Sequence, residues 1–126
     1  MTDKTGAGET GATEVSEDGR VLDRLYAVIE SRRGGDPARS RTAKLLAKGP
    51  VKIAQKVGEE AVETLIEGVR GDNRALAQES ADLLYHLLVL WAARGLAPGE
   101  VWAALAARRG TSGIAEKASR AGKNRG

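Results

Sequence analysis

Apolar residues recur every three to four positions along most of this chain, and short glycine-, proline- and aspartate-rich steps interrupt the recurrence. Such spacing lines one face of a helix. Leu22, Leu25 and Ile29, with Val21 and Val28 alongside, predict a first helix that begins near Gly19 or Arg20 and ends at Gly34-Gly35-Asp36-Pro37. A short helix is expected from about Ser40 to Lys48, with Ser40 as its N-cap. Gly49-Pro50 then punctuates the chain, and proline suits the first turn of a helix expected to run from about Pro50 to Val69. Gly71-Asp72 makes a turn, with Asp72 as N-cap of a helix from about Asn73 to Arg94 that Gly95 stops. A last helix is expected from Pro98 to about Arg109, with Val101, Trp102 and Leu105 facing inward.

No segment alternates like a strand and no repeat is visible. The predicted fold class is all-α, an antiparallel helical hairpin core joined by further helices. Residues 1 to 19, rich in Gly, Thr and Glu without a hydrophobic period, read as a disordered extension. Residues 20 to 110 form one domain, and residues 111 to 126, Gly-, Ser- and Lys-rich, read as a basic flexible tail with at most one short helical turn.

Composition supports helices. Aromatics are scarce and phenylalanine is absent, so the core is built from Ala, Leu, Val and Ile. A domain of this size buries a modest core and gains from pairing with a second copy. Without cysteine, disulfides and thiolate metal sites are excluded. The polar N-terminus shows no signal peptide, and the apolar run from Leu83 to Ala93 is too short to span a bilayer. A soluble, cytoplasmic protein is expected. The mild positive charge is uneven: five acids and one base precede Arg20, whereas six bases and one acid lie from Arg108 onward. A basic tail of this kind is read as a solvated end; its other reading is a nucleic-acid-binding module.

The candidate chemistry lies in two carboxylate pairs. Glu60 and Glu63 are three apart on one helix, and Glu79 and Asp82 are three apart on the next, so each pair shares a helix face. Glu63 and Glu79 are each eight residues from Gly71, and Glu60 and Asp82 are each eleven. In a hairpin folded at Gly71 these pairs meet at matched levels, roughly 12 and 16 Å from the turn. Four acids so placed repel unless exposed or neutralised, and a dication neutralises them. Carboxylates alone select a hard cation, Mg²⁺ first and Mn²⁺ as a substitute.

A blander reading stands beside this one, and it differs between the helices. On the first, Lys52, Lys56, Glu59, Glu60, Glu63 and Glu67 share one side while Ala54, Val57, Ala61, Val62 and Leu65 share the other. That is the pattern of an ordinary amphipathic helix with its charges in water. The second helix is apolar nearly all round from Ala81 to Ala93, which predicts burial and leaves Asp82 without a cationic neighbour on its own helix. Partners from elsewhere in the fold would satisfy it equally well. His86, four residues after Asp82, reads as a satisfied core histidine, the other reading being a hydrogen bond to a ligand or substrate. Arg41, Lys44, Lys48, Lys52 and Lys56 line the approach and are candidates for holding phosphate charge, or are solvated cations in ion pairs.

The paired Glu-x-x-Glu and Glu-x-x-Asp motifs resemble those of the MazG-like all-α nucleotide pyrophosphohydrolases. Within them, the segments Ser40 to Gly49, Lys52 to Glu63 and Glu79 to Leu88 are similar to the phosphoribosyl-ATP pyrophosphatases of histidine biosynthesis. The resemblance covers roughly residues 21 to 110. It implies hydrolysis of phosphoribosyl-ATP to phosphoribosyl-AMP and pyrophosphate, Mg²⁺ dependence, and a homodimer whose interface helps form the active sites. It carries Glu60, Glu63, Glu79 and Asp82 over as metal ligands, and Lys52, Lys56 and Glu59 as their neighbours. The expected mechanism is in-line attack by a metal-activated water, with lysines holding the leaving pyrophosphate and Glu59 as candidate proton acceptor. A dUTP-type house-cleaning pyrophosphohydrolase is the alternative enzyme. The chain departs from the family pattern at Arg41, where tyrosine is common, and in its long acidic N-terminal extension.

Overall fold

The structure is a computed structural model and describes residues 17–109. The described residues form five helices: α1 (Arg20–Ser31), α2 (Arg41–Lys48), α3 (Pro50–Arg70), α4 (Asn73–Arg94) and α5 (Pro98–Ala107). Among them there is no strand, in agreement with the all-α expectation. The N-terminal extension to residue 16, and the tail from residue 110, lie outside the described residues. Residues 17 to 19, expected to be disordered, are tied to α1: Glu17 pairs with Arg24 at 2.7 Å, and Asp18 accepts hydrogen bonds from the backbone and guanidinium of Arg20.

Local chemistry sets the boundaries. The Ser40 hydroxyl accepts from the amide of Ala43, and the Asp72 carboxylate accepts from that of Ala75; each satisfies a donor that a helix start leaves free. Two glycines are there for their backbone. Gly49 turns at φ 90°, ψ 169° between α2 and α3, and Gly71 closes α3 in the left-handed region at φ 80°. Pro50 and Pro98 open α3 and α5 from the first turn, where no amide bond is lost. Helix α1 stops at Ser31, ahead of the glycines expected to end it, and a turn follows over Arg32 to Gly34.

Helices α3 and α4 pair along their length, α1 packs on α4, and α2 lies on both α3 and α4. The core is Ile29, Leu45, Ile53, Leu88, Val89 and Ala92, drawn from the first four helices. Arg33 donates to the carbonyl of Ala92 at 2.6 Å, which ties the loop after α1 to the end of α4. Helix α5 joins through Trp102, whose indole donates to Asp23 at 2.9 Å and meets Trp91 edge to face. No helix among the described residues is long and apolar enough to cross a membrane.

Two expectations are corrected. Leu105 points to solvent, because α5 reaches the other helices only through its first turn and a half. On α3 the sides are exchanged in part: Lys52, Glu59 and Glu63 are exposed and Val57 is half-buried, as the pattern predicts. Ala54, Ala61, Val62 and Leu65 are exposed, while Lys56, Glu60, Thr64 and Glu67 are half-buried toward α4. An apolar stripe is buried only where some element lies over it. Within this chain, α4 covers one side of α3 and nothing among the described residues covers the other.

Candidate active site

The exchange of sides on α3 builds the site. After the buried Ile53, the inward positions are Lys56, Val57, Glu60, Thr64 and Glu67, spaced three or four apart along one seam. Carboxylates therefore project into the hairpin rather than away from it. From α4, Glu79 is half-buried at the same seam and Asp82 is exposed at its edge. One oxygen from each of Glu60, Glu79 and Asp82 lies within 4.8 Å of the others. The burial expected for Asp82 is thus overturned. Helix α2 reaches α4 at Tyr85 and His86, and the buried residues of α4 lie from His86 onward, beyond Asp82. Proximity to two other acids, not burial, is what sets Asp82 apart.

Glu63 is exposed and stands outside that group of three. Its charge is nonetheless felt there. The Glu79 carboxyl is held above its ordinary range, first by loss of surrounding water and then by the negative charges of Glu63, Asp82, Glu60 and Glu67. That Glu63 leads the charges on Glu79 fits their matched distance from Gly71. Glu67, to which the sequence assigned no role, extends the same field toward the turn. One of its oxygens is buried without a hydrogen-bond partner among the described residues, and the other is 3.8 Å from Arg70. Its signal was the seven-residue spacing from Glu60, but period alone did not say which face turns inward.

The oxygens around one Mg²⁺ lie about 3 to 4 Å apart. Three carboxylates already within 4.8 Å of one another fit such an ion with small side-chain adjustments. All-oxygen donors suit a hard cation rather than a soft one.

Alongside runs a groove of about 430 Å³ between α2 and α3. Arg41, Lys44 and Lys48 line it from α2, and Lys52 and Lys56 from α3, so all five candidate phosphate-holding cations share one wall space. Leu45 supplies its apolar floor, and Gln55 and Glu59 its rim. Glu59 is the single acid there. It pairs with Lys56 at 3.5 Å and accepts from the Gln55 amide at 3.2 Å. The strong positive balance makes the groove an anion site.

Where α2 meets α4, His86 is buried with both ring nitrogens engaged, as expected of a core histidine. Its Nδ1 is 2.8 Å from the backbone oxygen of Asp82, and its Nε2 is 3.3 Å from Arg41 Nη2. Next to it, the hydroxyls of Thr42 and Tyr85 are 2.6 Å apart.

A carboxylate cluster beside a cationic groove is equipment for a phosphoanhydride. The sequence profile of the phosphoribosyl-ATP pyrophosphohydrolase family matches residues 22–109, a span that includes both carboxylate pairs and the groove. The chain belongs to this family. Similar pyrophosphatases give the same picture. The phosphoribosyl-ATP pyrophosphatase of Azospirillum brasilense is 68% identical over 100 residues, which cover 79% of this chain and 90% of that protein. That of Cereibacter sphaeroides is 65% identical over 79% of this chain and 97% of its own length. That of Paramagnetospirillum magneticum is 58% identical over 109 residues, 86% of this chain and the whole of that protein.

Proposed function

We propose that the chain hydrolyses phosphoribosyl-ATP to phosphoribosyl-AMP and pyrophosphate, a step of histidine biosynthesis in the cytoplasm, with Mg²⁺ held by Glu60, Glu79 and Asp82. Glu63, expected as a fourth ligand, lies outside that group of three and adds its negative charge to the field at Glu79. The observation that carries the reading is the juxtaposition of three carboxylate oxygens within 4.8 Å with a groove bearing five cations. Membership of the family supplies the substrate.

Each part of the site has work in such a reaction. Arg41, Lys44, Lys48, Lys52 and Lys56 hold the triphosphate and keep the pyrophosphate anchored as it leaves. When bound, the cation supplies Lewis-acid polarisation of the phosphate oxygens and a more acidic water; Mn²⁺ has the same preference for oxygen. The water oxygen attacks the α-phosphorus, the α–β bridging bond breaks, and its electron pair leaves with pyrophosphate. Glu59, on the helical turn that carries Glu60, takes the proton of that water. Its bonds to Lys56 and Gln55 keep it at the rim of the groove.

The working unit is a homodimer. Val62, Leu65, Ile66 and Val69 form an exposed apolar stripe on α3, with Leu65 and Val69 62% and 80% exposed, and Leu84 lies exposed on α4. Isolated apolar side chains are ordinary on a surface, but a stripe along one helix marks an interface. A second copy of the chain, bringing the same stripe, covers it in a two-fold arrangement. Leu65→Asp is expected to convert the dimer to monomer in sedimentation equilibrium; a wild-type monomer at micromolar concentration argues against the dimer.

The deciding experiment is pyrophosphate release by purified protein with Mg²⁺ from phosphoribosyl-ATP, dUTP and dCTP. Release from phosphoribosyl-ATP alone, abolished by chelator, is the expected outcome. A folded protein that leaves phosphoribosyl-ATP intact sinks the proposal.

A further inference from the structure

His86 is 1% exposed, and the chemistry of its two partners fixes its tautomer. The Asp82 carbonyl can only accept, so Nδ1 carries the hydrogen. The Arg41 guanidinium can only donate, so Nε2 offers its lone pair. Arg41 is held on a second side as well, its guanidinium carbon 5.8 Å from the centre of the Tyr85 ring. Tyr85 in turn meets His86 edge to face at 5.0 Å and bonds Thr42. The first turn of α2 is thereby fastened to α4 at two adjacent residues.

The hairpin register shows where this fastening lies. His86 is fifteen residues after Gly71, and Lys56 is fifteen before it. Arg41 and Lys56 therefore stand at one level, about 6 Å beyond that of Glu60 and Asp82. They are the groove cations nearest the carboxylates. Lys56 is paired with Glu59. Arg41 instead meets a neutral ring, which orients the guanidinium without cancelling its charge and leaves its other N–H groups for an anion.

We infer that His86 is a positioning residue: through Nε2 it aims Arg41 at the phosphate group that lies beside the carboxylates. This role rests on the pyrophosphohydrolase reading given above and adds to it the residue that sets the geometry of the groove's inner end. The same ring bonds the backbone of Asp82, so one side chain fixes the phosphate-holding cation and one carboxylate relative to each other.

Inorganic pyrophosphate with Mg²⁺, titrated calorimetrically, is the probe, read together with steady-state kinetics on phosphoribosyl-ATP. Arg41→Met and His86→Phe are each expected to weaken pyrophosphate binding about tenfold, with the loss appearing in KM rather than kcat. The double variant is expected to be no weaker than Arg41→Met alone, because the two residues act as one. His86→Gln, which keeps an acceptor near the Nε2 position, is expected to recover most of the affinity. Singles that multiply to about a hundredfold in the double variant, or His86→Gln as weak as His86→Phe, overturn the role. Because His86 is buried, ring ¹⁵N spectra of wild type and of Arg41→Met, which alters an exposed position, give a second reading. The Nε2 signal is expected to move on loss of Arg41 and on addition of pyrophosphate; indifference to both overturns the role. A wild-type chain that hydrolyses phosphoribosyl-ATP but does not bind pyrophosphate overturns the positioning role alone, whereas one that does neither overturns the proposed function with it.

Discussion

Away from the turn, the α3–α4 hairpin is held by Ile53 against Leu88, Val89 and Ala92, with Ile29 and Leu45 closing over them from α1 and α2. Toward Gly71, the same two helices face each other with Glu60, Glu67 and Glu79 at the seam and no fully buried residue. Burying an aliphatic side chain of this size contributes about 1.5 to 3 kcal/mol, so the far end stabilises the hairpin. The near end works against it, because like charges are brought together and Glu79 gives up part of its water. One end holds the geometry of the other, and the cation proposed at the carboxylates would turn the repulsion into attraction.

Substitutions at the two ends should therefore differ in kind. Ile53→Ala, in the centre of the core, is expected to lower stability by about 2 to 5 kcal/mol, measured by urea unfolding. A smaller loss would mean that the far end is not the anchor. Glu79→Gln should do the reverse in metal-free buffer and raise the melting temperature, since it removes a charge from the cluster. With Mg²⁺ and phosphoribosyl-ATP the same variant should lose about a hundredfold or more in kcat/KM. A variant less stable than wild type without metal would erase the contrast between the ends. Ser40→Ala removes the cap of α2 and should cost about 1 kcal/mol while sparing the carboxylates. The smallest effect concerns Glu30. Arg33 above all, and Tyr26 less, hold its carboxyl below the usual range against a desolvation that raises it. Its stabilisation is present above the ordinary glutamate value and is lost as pH falls through the depressed one. The side chain is partly exposed, so solvent screening keeps the term small. Glu30→Gln should lower stability slightly at neutral pH, and its difference from wild type should vanish as pH falls through the depressed value, so that the acid limb flattens.

Element boundaries were legible because the chain states them locally. Ser40, Gly49-Pro50, Gly71-Asp72 and Gly95 each act through their own backbone or nearest amides, and each does in the structure what its chemistry predicts. The facing of Glu60 with Asp82 was legible too, because equal distance from Gly71 is a property of sequence. Which face of α3 turns inward was not. A helical period separates Val62 and Leu65 from Glu60 and Glu67, but the elements that cover each side lie far off in sequence or, as proposed for the apolar stripe, on another copy. Asp82 was misjudged for the same reason: the buried residues of the apolar helix around it begin only at His86. The contact between Arg41 and His86 joins residues 45 apart through two turns, and no spacing rule reaches that far.

The two-residue turn at Gly71 and Asp72 gives the site a reading frame. Glu60 and Asp82 share a level only while the count of residues between them stays fixed. One extra residue in that turn, where it is drawn into α4 rather than looped out, would rotate α4 by about 100° relative to α3 and shift it by about 1.5 Å, carrying Glu79 and Asp82 off the seam together. Such an insertion would act as a double mutation of the proposed ligands that alters neither side chain, so the length of this turn should vary among working relatives no more freely than the acids themselves.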